Sequence, residues 1–250
     1  MIPVLMEIGP LKVYSYGLML GVAFLTGGLI LSRELARKKM DPGMGSTITL
    51  LAAVFGISGA KVLYLLEHAA EFAADPWGMA FSPGGLTWYG GFLTALTAVS
   101  VYVRSRRISF LRVWDCLGVA LILAYGIGRL GCHLSGDGDY GFPTDLPWGT
   151  NYENGTVKPS RAFAAFPSVA AAYPGGVVPD DTPLHPTPVY ETLAGAAGFL
   201  LLWHLRTRPA PDGALFMIYV MLSSVFRFLV EFLRLNPRIA CGLSAAQVIG

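Results

Sequence analysis

"GRLGCHLSGDGDYG", residues 128–141, decides how the chain is interpreted, because it places an arginine between a long apolar run and a loop rich in glycine and aspartate. The apolar run begins near residue 113, and about 20 apolar residues are enough to cross a bilayer. Arg129 therefore lies near the end of a predicted membrane span. Such an arginine is either an anchor at the membrane surface or part of a binding site for an anion.

The composition indicates a protein embedded in a lipid bilayer. Of its 250 residues, 54% are hydrophobic and 14% are charged, against roughly a quarter charged in soluble domains. The net charge of +2 is small and dispersed, so no nucleic-acid partner is predicted. Cys116, Cys132 and Cys241 are odd in number and lack CxxC spacing. We therefore predict neither a metal site nor a disulfide framework.

The distribution of apolar runs predicts an all-α polytopic membrane protein with six transmembrane helices. The chain's start lacks the basic region and cleavage site of a secretory signal, so the first run is expected to be retained. Segment 134–186, between spans 4 and 5, is predicted to be a periplasmic loop or small cap within a single integral membrane domain, residues 1–250. The six spans are placed near 14–32, 47–66, 86–103, 113–133, 187–205 and 213–233.

Basic residues set the predicted orientation, because short loops rich in lysine and arginine stay in the cytoplasm. The loops after spans 1, 3 and 5 are the basic ones, and the opposite loops hold far fewer such residues. The N-terminus is therefore predicted to face outward, together with segment 134–186. The basic residues concerned are Arg33, Arg37, Lys38, Lys39, Arg104, Arg106, Arg107, Arg112, Arg206 and Arg208.

A few ionisable residues lie in or beside the predicted spans, and the cost of charge in hydrocarbon makes them functional candidates. With the orientation above, each lies toward the outer end of its span. We therefore predict a polar cluster, built from several helices, near the outer headgroups. Its candidate members are Lys61, Glu67, Arg129, His185, Glu191, Arg227, Glu231 and Arg234.

The arginines of this set are suited to binding phosphate. In "RFLVEFLR", residues 227–234, the spacing places Glu231 between Arg227 and Arg234 on one helix face, although Arg234 alone is also explained as an interfacial anchor. Glycines flank Arg129 and permit either a tightly packed helix end or an anion site. A guanidinium binds phosphate oxygens in pairs. The phosphate at that depth is that of a phospholipid.

Other short motifs carry weaker signals. "DGDYG", residues 137–141, has too few acidic residues for a twelve-residue calcium loop. "HPTPVYE", residues 185–191, is typical of a helix start that contains proline, so His185 and Glu191 also suit capping. Trp88 and Tyr89 suit the aromatic belt at a membrane interface.

Several separated stretches together resemble one family, the bacterial prolipoprotein diacylglyceryl transferases. The resemblance covers nearly the whole chain, and its specificity lies in the order of the motifs. It implies a seven-span fold with its N-terminus outside, acting at the outer face of the inner membrane. The last of those spans is missing from the six predicted here. The stretches are "YSYGLMLG" (14–21), "GAKVLYLL" (59–66), "GGLTWYGGF" (84–92), "GRLGCHLSGDGDYG", "HPTPVYE" and "RFLVEFLR".

The resemblance also implies a reaction and its partners. Such enzymes move the diacylglyceryl group of phosphatidylglycerol to the lipobox cysteine of a prolipoprotein signal peptide, which forms a thioether and releases glycerol phosphate. No cofactor and no metal are implied. Negative charge develops on the leaving phosphate oxygen, which preorganised cations stabilise.

Carried over residue by residue, the resemblance assigns roles to most of the candidates. Arg129 and Arg227 would bind the phosphate and stabilise the leaving group, with Glu231 and Arg234 orienting them. The other residues implied in substrate binding are Tyr16 and Gly141, which would line the lipid site, Gly90 and Gly91, which would form a tight turn near the headgroup, and Lys61, His185 and Glu191.

The chain departs from the family pattern at several of these positions. Tyr89 stands where a histidine commonly precedes the double glycine, Cys132 replaces an asparagine, and Lys61 replaces an arginine. The loop after Arg129 has one extra residue, which puts Asp137 roughly where a glutamate stands. The attacking thiol, with a pKa near 8.5, must lose its proton, and a neutral tyrosine is a poor base. The candidates for that step are His133, Asp137 and His185, and the sequence does not choose among them. Tyr89 is predicted to be catalytic, together with Arg129, Arg227, His133 and Asp137.

Two other functions are consistent with the sequence. One is a family relative that acts on a different phospholipid or acceptor. The other is a protein without catalysis, either a small transporter or a lipid-binding scaffold. A transporter is expected to place polar groups near the midplane and to show a repeat, whereas the polar residues here gather toward one face. Segment 142–184 would either guide the signal peptide or cover the site.

Overall fold

The computed structural model describes residues 1–9, 11–82 and 84–249, and it is mostly helical. A helix lies at each of the six predicted spans. The helices are α1 (Ser15–Arg37), α2 (Gly43–Glu67), α3 (Ala69–Ala74), α4 (Pro76–Phe81), α5 (Trp88–Ser105), α6 (Phe110–Ser135), α7 (Pro159–Ala162), α8 (Pro167–Ala170), α9 (Thr187–Leu205), α10 (Ala214–Val230) and α11 (Ala245–Ile249).

The longest helices have the dimensions of membrane spans. Helices α1, α2 and α6 are 23, 25 and 26 residues long and apolar enough to cross a bilayer, and α10 is a shorter apolar helix. Their apolar side chains also lie on the outside, as Leu25 (71% exposed) and Leu50 (64%) illustrate. Apolar residues around the whole helix are typical of a segment in lipid. The chain is therefore a multi-pass membrane protein.

Two short hairpins correct the all-α prediction. Strands β1 (Val4–Ile8) and β2 (Leu11–Tyr14) pair antiparallel before α1. Strands β3 (Arg238–Ala240) and β4 (Leu243–Ser244) pair in the same way after α10. Strands this short bury little surface and are too short for a clear alternation of apolar and polar residues. They are therefore only weakly indicated in the sequence.

Two compact units make up the chain: residues 1–26 with 118–250, and residues 27–117. In the second unit, α2 and α5 pack closely through glycines. A Cβ on Gly91 would lie 2.7 Å from the carbonyl oxygen of Gly56, and one on Gly90 would lie 2.6 Å from the Cβ of Leu63. Small residues allow such an approach between membrane helices. The predicted tight turn at Gly90 and Gly91 is therefore wrong, because both lie inside α5.

The same unit contains two buried carboxylates that pair locally. Glu34 is fully buried with Arg37 2.7 Å away, and Asp115 is 3% exposed with the Nζ of Lys38 2.6 Å away. Asp115 lies inside the fourth predicted span and is absent from the predicted set of intramembrane charges. Its partner Lys38 comes from the basic loop after α1, so the pair joins the ends of two helices. Each of these two buried carboxylates therefore has a basic partner within the same unit, which accounts for its charge without a role in binding.

The first unit contains the polar segment between α6 and α9. This segment, residues 136–186, forms short helices and turns around its own hydrophobic core. This core favours the prediction of a small folded cap, rather than an irregular loop, for residues 136–186. The core residues are Tyr140, Tyr152, Phe163, Ala170, Val178 and Leu184.

Candidate functional site

Ends of three helices of the first unit bring the predicted arginines together. Arg129 lies in the last two turns of α6, Arg227 lies in the last turn of α10, and Arg234 follows α10. Glu191 lies near the start of α9, where Pro188 fits because a proline needs no hydrogen-bond partner for its nitrogen there. The structure thus shows the predicted convergence of these four residues.

Glu191 is the centre of the cluster. Its carboxylate lies 3.5 Å from Nε of Arg129, 3.3 Å from Nη1 of Arg227 and 3.0 Å from Nη1 of Arg234. The hydroxyl of Tyr125 also donates to it. Only 2% of the Glu191 side chain is exposed. Because a buried carboxylate is costly unless it is paired, the three guanidiniums and Glu191 hold one another in place.

Glu231 contacts Arg227 and Arg234 from the other side. The predicted contacts are present, but the predicted shared helix face is wrong for Arg234, because α10 ends at Val230. Its Oε2 lies 2.8 Å from Nη2 of Arg227 and 3.8 Å from Nε of Arg234. Its Oε1 accepts hydrogen bonds of 2.6 Å from Ser244 and from Asn236. The side chain is fully buried. The segment after α10 therefore fixes this carboxylate, which in turn fixes two arginines.

Asp139 is the site residue that the sequence reasoning missed. One of its oxygens accepts from Arg129 and the other accepts from Arg234. Burial alone would raise the pKa of Asp139, but the charges of Arg234 and Arg129 outweigh it and hold the pKa below its ordinary value. Asp139 is therefore ionised at neutral pH. Its sequence signal, one of two aspartates in "DGDYG", did not distinguish it from Asp137.

Gly141 lies where the chain passes close to the cluster. It forms an antiparallel bridge with Arg234, and its N–H donates to the carbonyl of His185 over 2.9 Å. A Cβ here would lie 2.9 Å from Cγ2 of Thr187 and 3.0 Å from Cβ of His185. The backbone approach therefore requires glycine at this position.

Tyr16 lies at the start of α1 and packs near α6. The Cα of Tyr16 is 3.6 Å from where a Cβ on Gly131 would be, and its side chain is 41% exposed. Tyr16 is thus beside the helix that carries Arg129, with a surface left open to a ligand. The role of Tyr16 in lining the lipid site stays a prediction.

The candidate bases have different surroundings. His133 forms a hydrogen bond of 3.0 Å through Nδ1 with the hydroxyl of Tyr152, which belongs to the core of the cap. Burial raises the pKa of Asp137, and the nearby charge of Asp139 raises it further. His185 contacts the hydroxyl of Tyr190 through Nδ1 at 3.2 Å.

The imidazole of His185 has the protonation state that a base needs. Partial burial lowers the pKa of His185, so the ring is neutral at neutral pH. The carbonyl of the same residue accepts from Gly141, whose neighbour across the bridge is Arg234. His185 is therefore tied by its backbone to the arginine cluster.

The remaining predicted site residues lie in the other unit, residues 27–117. Tyr89 is 53% exposed and stacks edge-on against Trp88. Lys61 donates to the carbonyl oxygens of Ser82 and Gly84 over 3.1 and 2.8 Å, so it fastens the segment before α5. Gly90 and Gly91 serve helix packing, as described above.

One group of ligand-type atoms is close enough to suggest a metal. Atoms of Cys132, Asp137 and Asp139 lie within 4.8 Å of one another. However, both oxygens of Asp139 are engaged by arginines, and two adjacent guanidiniums repel a cation. The donor set therefore does not fit a metal ion.

Comparison with known proteins identifies the chain's relatives. A family model described as prolipoprotein diacylglyceryl transferase matches residues 3–250. The chain belongs to this family. Among curated members named phosphatidylglycerol–prolipoprotein diacylglyceryl transferase, that of Clostridium tetani is 29% identical over 237 residues, covering 94% of this chain and 86% of the relative.

Two further relatives carry the same name. The one from Chromohalobacter salexigens is 31% identical over 235 residues, covering 93% of this chain and 79% of the relative. The one from Gloeobacter violaceus is 30% identical over 252 residues, covering 99% of this chain and 87% of the relative. The prolipoprotein diacylglyceryl transferase family is thus matched along almost the whole sequence, over a range that contains the arginine cluster.

Proposed function

We propose that this chain transfers the diacylglyceryl group of phosphatidylglycerol to the lipobox cysteine thiol of a prolipoprotein signal peptide. The sulfur forms a thioether with the glyceryl carbon, the bond between that carbon and the phosphate oxygen breaks, and glycerol phosphate leaves. Family membership supports the reaction. The cluster of Arg129, Arg227 and Arg234 around Glu191, where the ends of α6, α9 and α10 meet, is the observation that carries it.

The geometry of the cluster suits displacement of a phosphate ester. Arg129 and Arg227 remain 20% and 27% exposed, whereas the carboxylates Glu191 and Glu231 that hold them are buried. Both arginine side chains therefore keep some exposed surface, while their ion pairs with buried carboxylates fix their positions. Donors fixed in advance stabilise the charge that develops on the leaving oxygen without the cost of reorganisation.

We infer that His185 takes the proton of the attacking thiol. Its neutral imidazole has Nδ1 engaged with Tyr190, which leaves Nε2 to accept a proton. The proton passes from sulfur to Nε2, and the thiolate attacks. His133 is held by the cap core, and the carboxylate of Asp137 accepts the N–H of Asp139.

The arrangement in the membrane follows from the charge pattern of the loops. We propose six spans with the N-terminus and the cap on the outer side of the bacterial inner membrane. The arginine cluster, at the cap end of α6, then lies at the outer leaflet. Phosphatidylglycerol reaches it by lateral diffusion in that leaflet, and the signal peptide reaches it from the same side.

Mass spectrometry of a lipobox peptide tests the proposal. Purified protein, phosphatidylglycerol and peptide are incubated with wild type, Arg129→Ala, Arg227→Ala or the control Arg161→Ala, an exposed cap arginine. Loss of one fixed donor costs roughly 100- to 1000-fold in rate. We expect a gain of one diacylglyceryl group with wild type and control, and almost none with the other two variants. Equal lipidation by all four folded proteins would contradict the assignment.

A second candidate function is transfer involving another phospholipid or acceptor. The observation that favours it is Cys132, whose Sγ lies 4.0 Å from Nη1 of Arg129, at the position where the family pattern has an asparagine. A thiol offers weaker hydrogen bonds than an amide, so headgroup contacts here differ. Replacing phosphatidylglycerol by phosphatidylethanolamine in the same assay separates the two functions.

A further inference from the structure

Asp139 accepts hydrogen bonds from two arginines, whose guanidinium groups are the donors that an anionic ligand would use. Its carboxylate spans Arg129 and Arg234, one oxygen to each. A carboxylate and a phosphate both present a pair of oxygens to guanidinium groups. In chemical terms, Asp139 therefore contacts these arginines as two oxygens of a bound phosphate would.

The cluster is also electrically balanced. Three arginines face three carboxylates, all linked by ion pairs. A phosphodiester brings one further negative charge, and an uncompensated charge in a largely buried place is costly. Balance is restored when one of the three carboxylates turns toward water.

The exposed fraction of each carboxylate side chain and its further contacts indicate which of the three carboxylates moves. The Asp139 side chain is 30% exposed, against 2% for Glu191 and none for Glu231. Glu191 lies in α9 and binds Tyr125 as well as the arginines. Glu231 is held further by Ser244. Asp139 is on a loop, and its side chain is partly exposed already.

The backbone of Asp139 is anchored, so the motion needed is small. Its carbonyl accepts from Oγ1 of Thr187 over 2.5 Å, and its N–H donates to Oδ1 of Asp137 over 3.3 Å. An aspartate side chain has two rotatable torsions. Rotation about them moves the carboxylate off both guanidiniums while the loop stays in place.

We propose that Asp139 is an internal counter-anion, which the phosphate of an incoming ligand displaces from Arg129 and Arg234. The ligand class is a phosphate ester, and taking phosphatidylglycerol as its source rests on the proposed function. The glycerol phosphate that leaves has the same chemistry. Asp139 then weakens the binding of both, which favours release of the product.

Binding measurements on the full-length protein in detergent test this proposal. The probes are phosphatidylglycerol, glycerol phosphate and, as a ligand without phosphate, diacylglycerol. Removal of a competing charged hydrogen-bond partner in Asp139→Asn should tighten phosphatidylglycerol binding by about tenfold or more, with diacylglycerol binding unchanged. The control Asp180→Asn removes a cap carboxylate paired with Lys158 at 3.8 Å and should leave both Kd values as in wild type.

Each outcome decides between displacement and a fixed supporting role. If glycerol phosphate also binds more tightly to Asp139→Asn, the phosphate alone displaces Asp139; if only phosphatidylglycerol does, the lipid is required. Unchanged or weaker phosphatidylglycerol binding by folded Asp139→Asn would overturn the proposal, and so would an equal gain for diacylglycerol.

A second measurement needs no variant, in case Asp139→Asn fails to fold. Wild type with carbon-13-labelled aspartate is followed by infrared difference spectroscopy as phosphatidylglycerol is added. Release from two guanidiniums shifts the carboxylate band, and the absence of a shift refutes displacement. Displacement without lipidation of the peptide by wild type would instead refute the proposed transfer and leave this inference standing.

Discussion

Replacement of Glu191 by glutamine tests the core of the argument, because this residue joins three arginines and one tyrosine. The glutamine has the same shape and still accepts a hydrogen bond, but it carries no charge. The cluster then has three positive and two negative groups in a place where Glu191 itself is 2% exposed. The substitution therefore isolates the contribution of charge.

The magnitude follows from the distances. At 3.0 to 3.5 Å from the three guanidiniums, each attraction is about 5 kcal/mol at an effective dielectric constant of about 20. The desolvation of Glu191 offsets much of that total. Loss of one partner from a buried pair costs about 3 to 5 kcal/mol. At roughly 2 to 4 °C per kcal/mol for a chain of this size, Tm should fall by about 6 to 20 °C.

The assay is thermal unfolding in detergent, followed by size-exclusion chromatography of the soluble fraction. The control is Glu153→Gln, which removes an exposed carboxylate of the cap and should leave Tm within about 1 °C. The double variant Glu191→Gln, Arg234→Gln removes one charge of each sign and should recover part of the loss. A monodisperse Glu191→Gln protein that melts within 2 °C of wild type would refute the reasoning.

Three further predictions concern neighbours of the cluster. His185→Gln should reduce peptide lipidation about 100-fold, because the general base is lost. Burial lowers the pKa of His185, so the wild-type rate should fall only as the pH drops through that lowered value. An unchanged rate and pH profile in the variant would exclude His185 as the base. Gly141→Ala should lower Tm, because the added Cβ would lie 2.9 Å from Thr187 and overpacking costs about 1 to 3 kcal/mol. The matched control is Gly128→Ala, whose Cβ would have open space around it. Equal Tm values for the two variants would contradict the close approach at Gly141. Tyr125→Phe should lose the hydrogen bond to Glu191, worth about 1.5 to 3 kcal/mol for a charged acceptor, and a Tm equal to that of wild type would show that this bond contributes no stability.

The helices and the main arginines could be predicted from the sequence for a physical reason. A membrane span needs a long apolar run, and a charge beside it is rare enough to stand out. The spacing of Arg227 and Glu231 also predicted their contact at the end of α10, whereas Arg234 follows that helix and contacts Glu231 from outside it. These features depend on residues close together in the chain.

The features that the sequence did not reveal depend on contacts between distant residues. Asp139 and Asp137 have the same side chain and nearly the same neighbours, and only the fold directs one of them at two guanidiniums. Gly90 and Gly91 were assigned to a turn, although their use is in packing α5 against α2. The pairing of Asp115 with Lys38, 77 residues away in the sequence, likewise depends on the fold.

The ion pair between Arg129 and Asp139 has a consequence for synthesis of the protein. The two residues are 10 positions apart, whereas Glu191, the other carboxylate paired with Arg129, follows Asp139 by 52 positions. At about 5 to 20 residues per second, a ribosome needs roughly 3 to 10 s to progress from Asp139 to Glu191. During that interval, Asp139 is already available to neutralise Arg129 while the later helices are still being made. The local aspartate thus lets the fourth predicted span enter the bilayer with its arginine paired, before Glu191, the other carboxylate partner of that arginine, has been made.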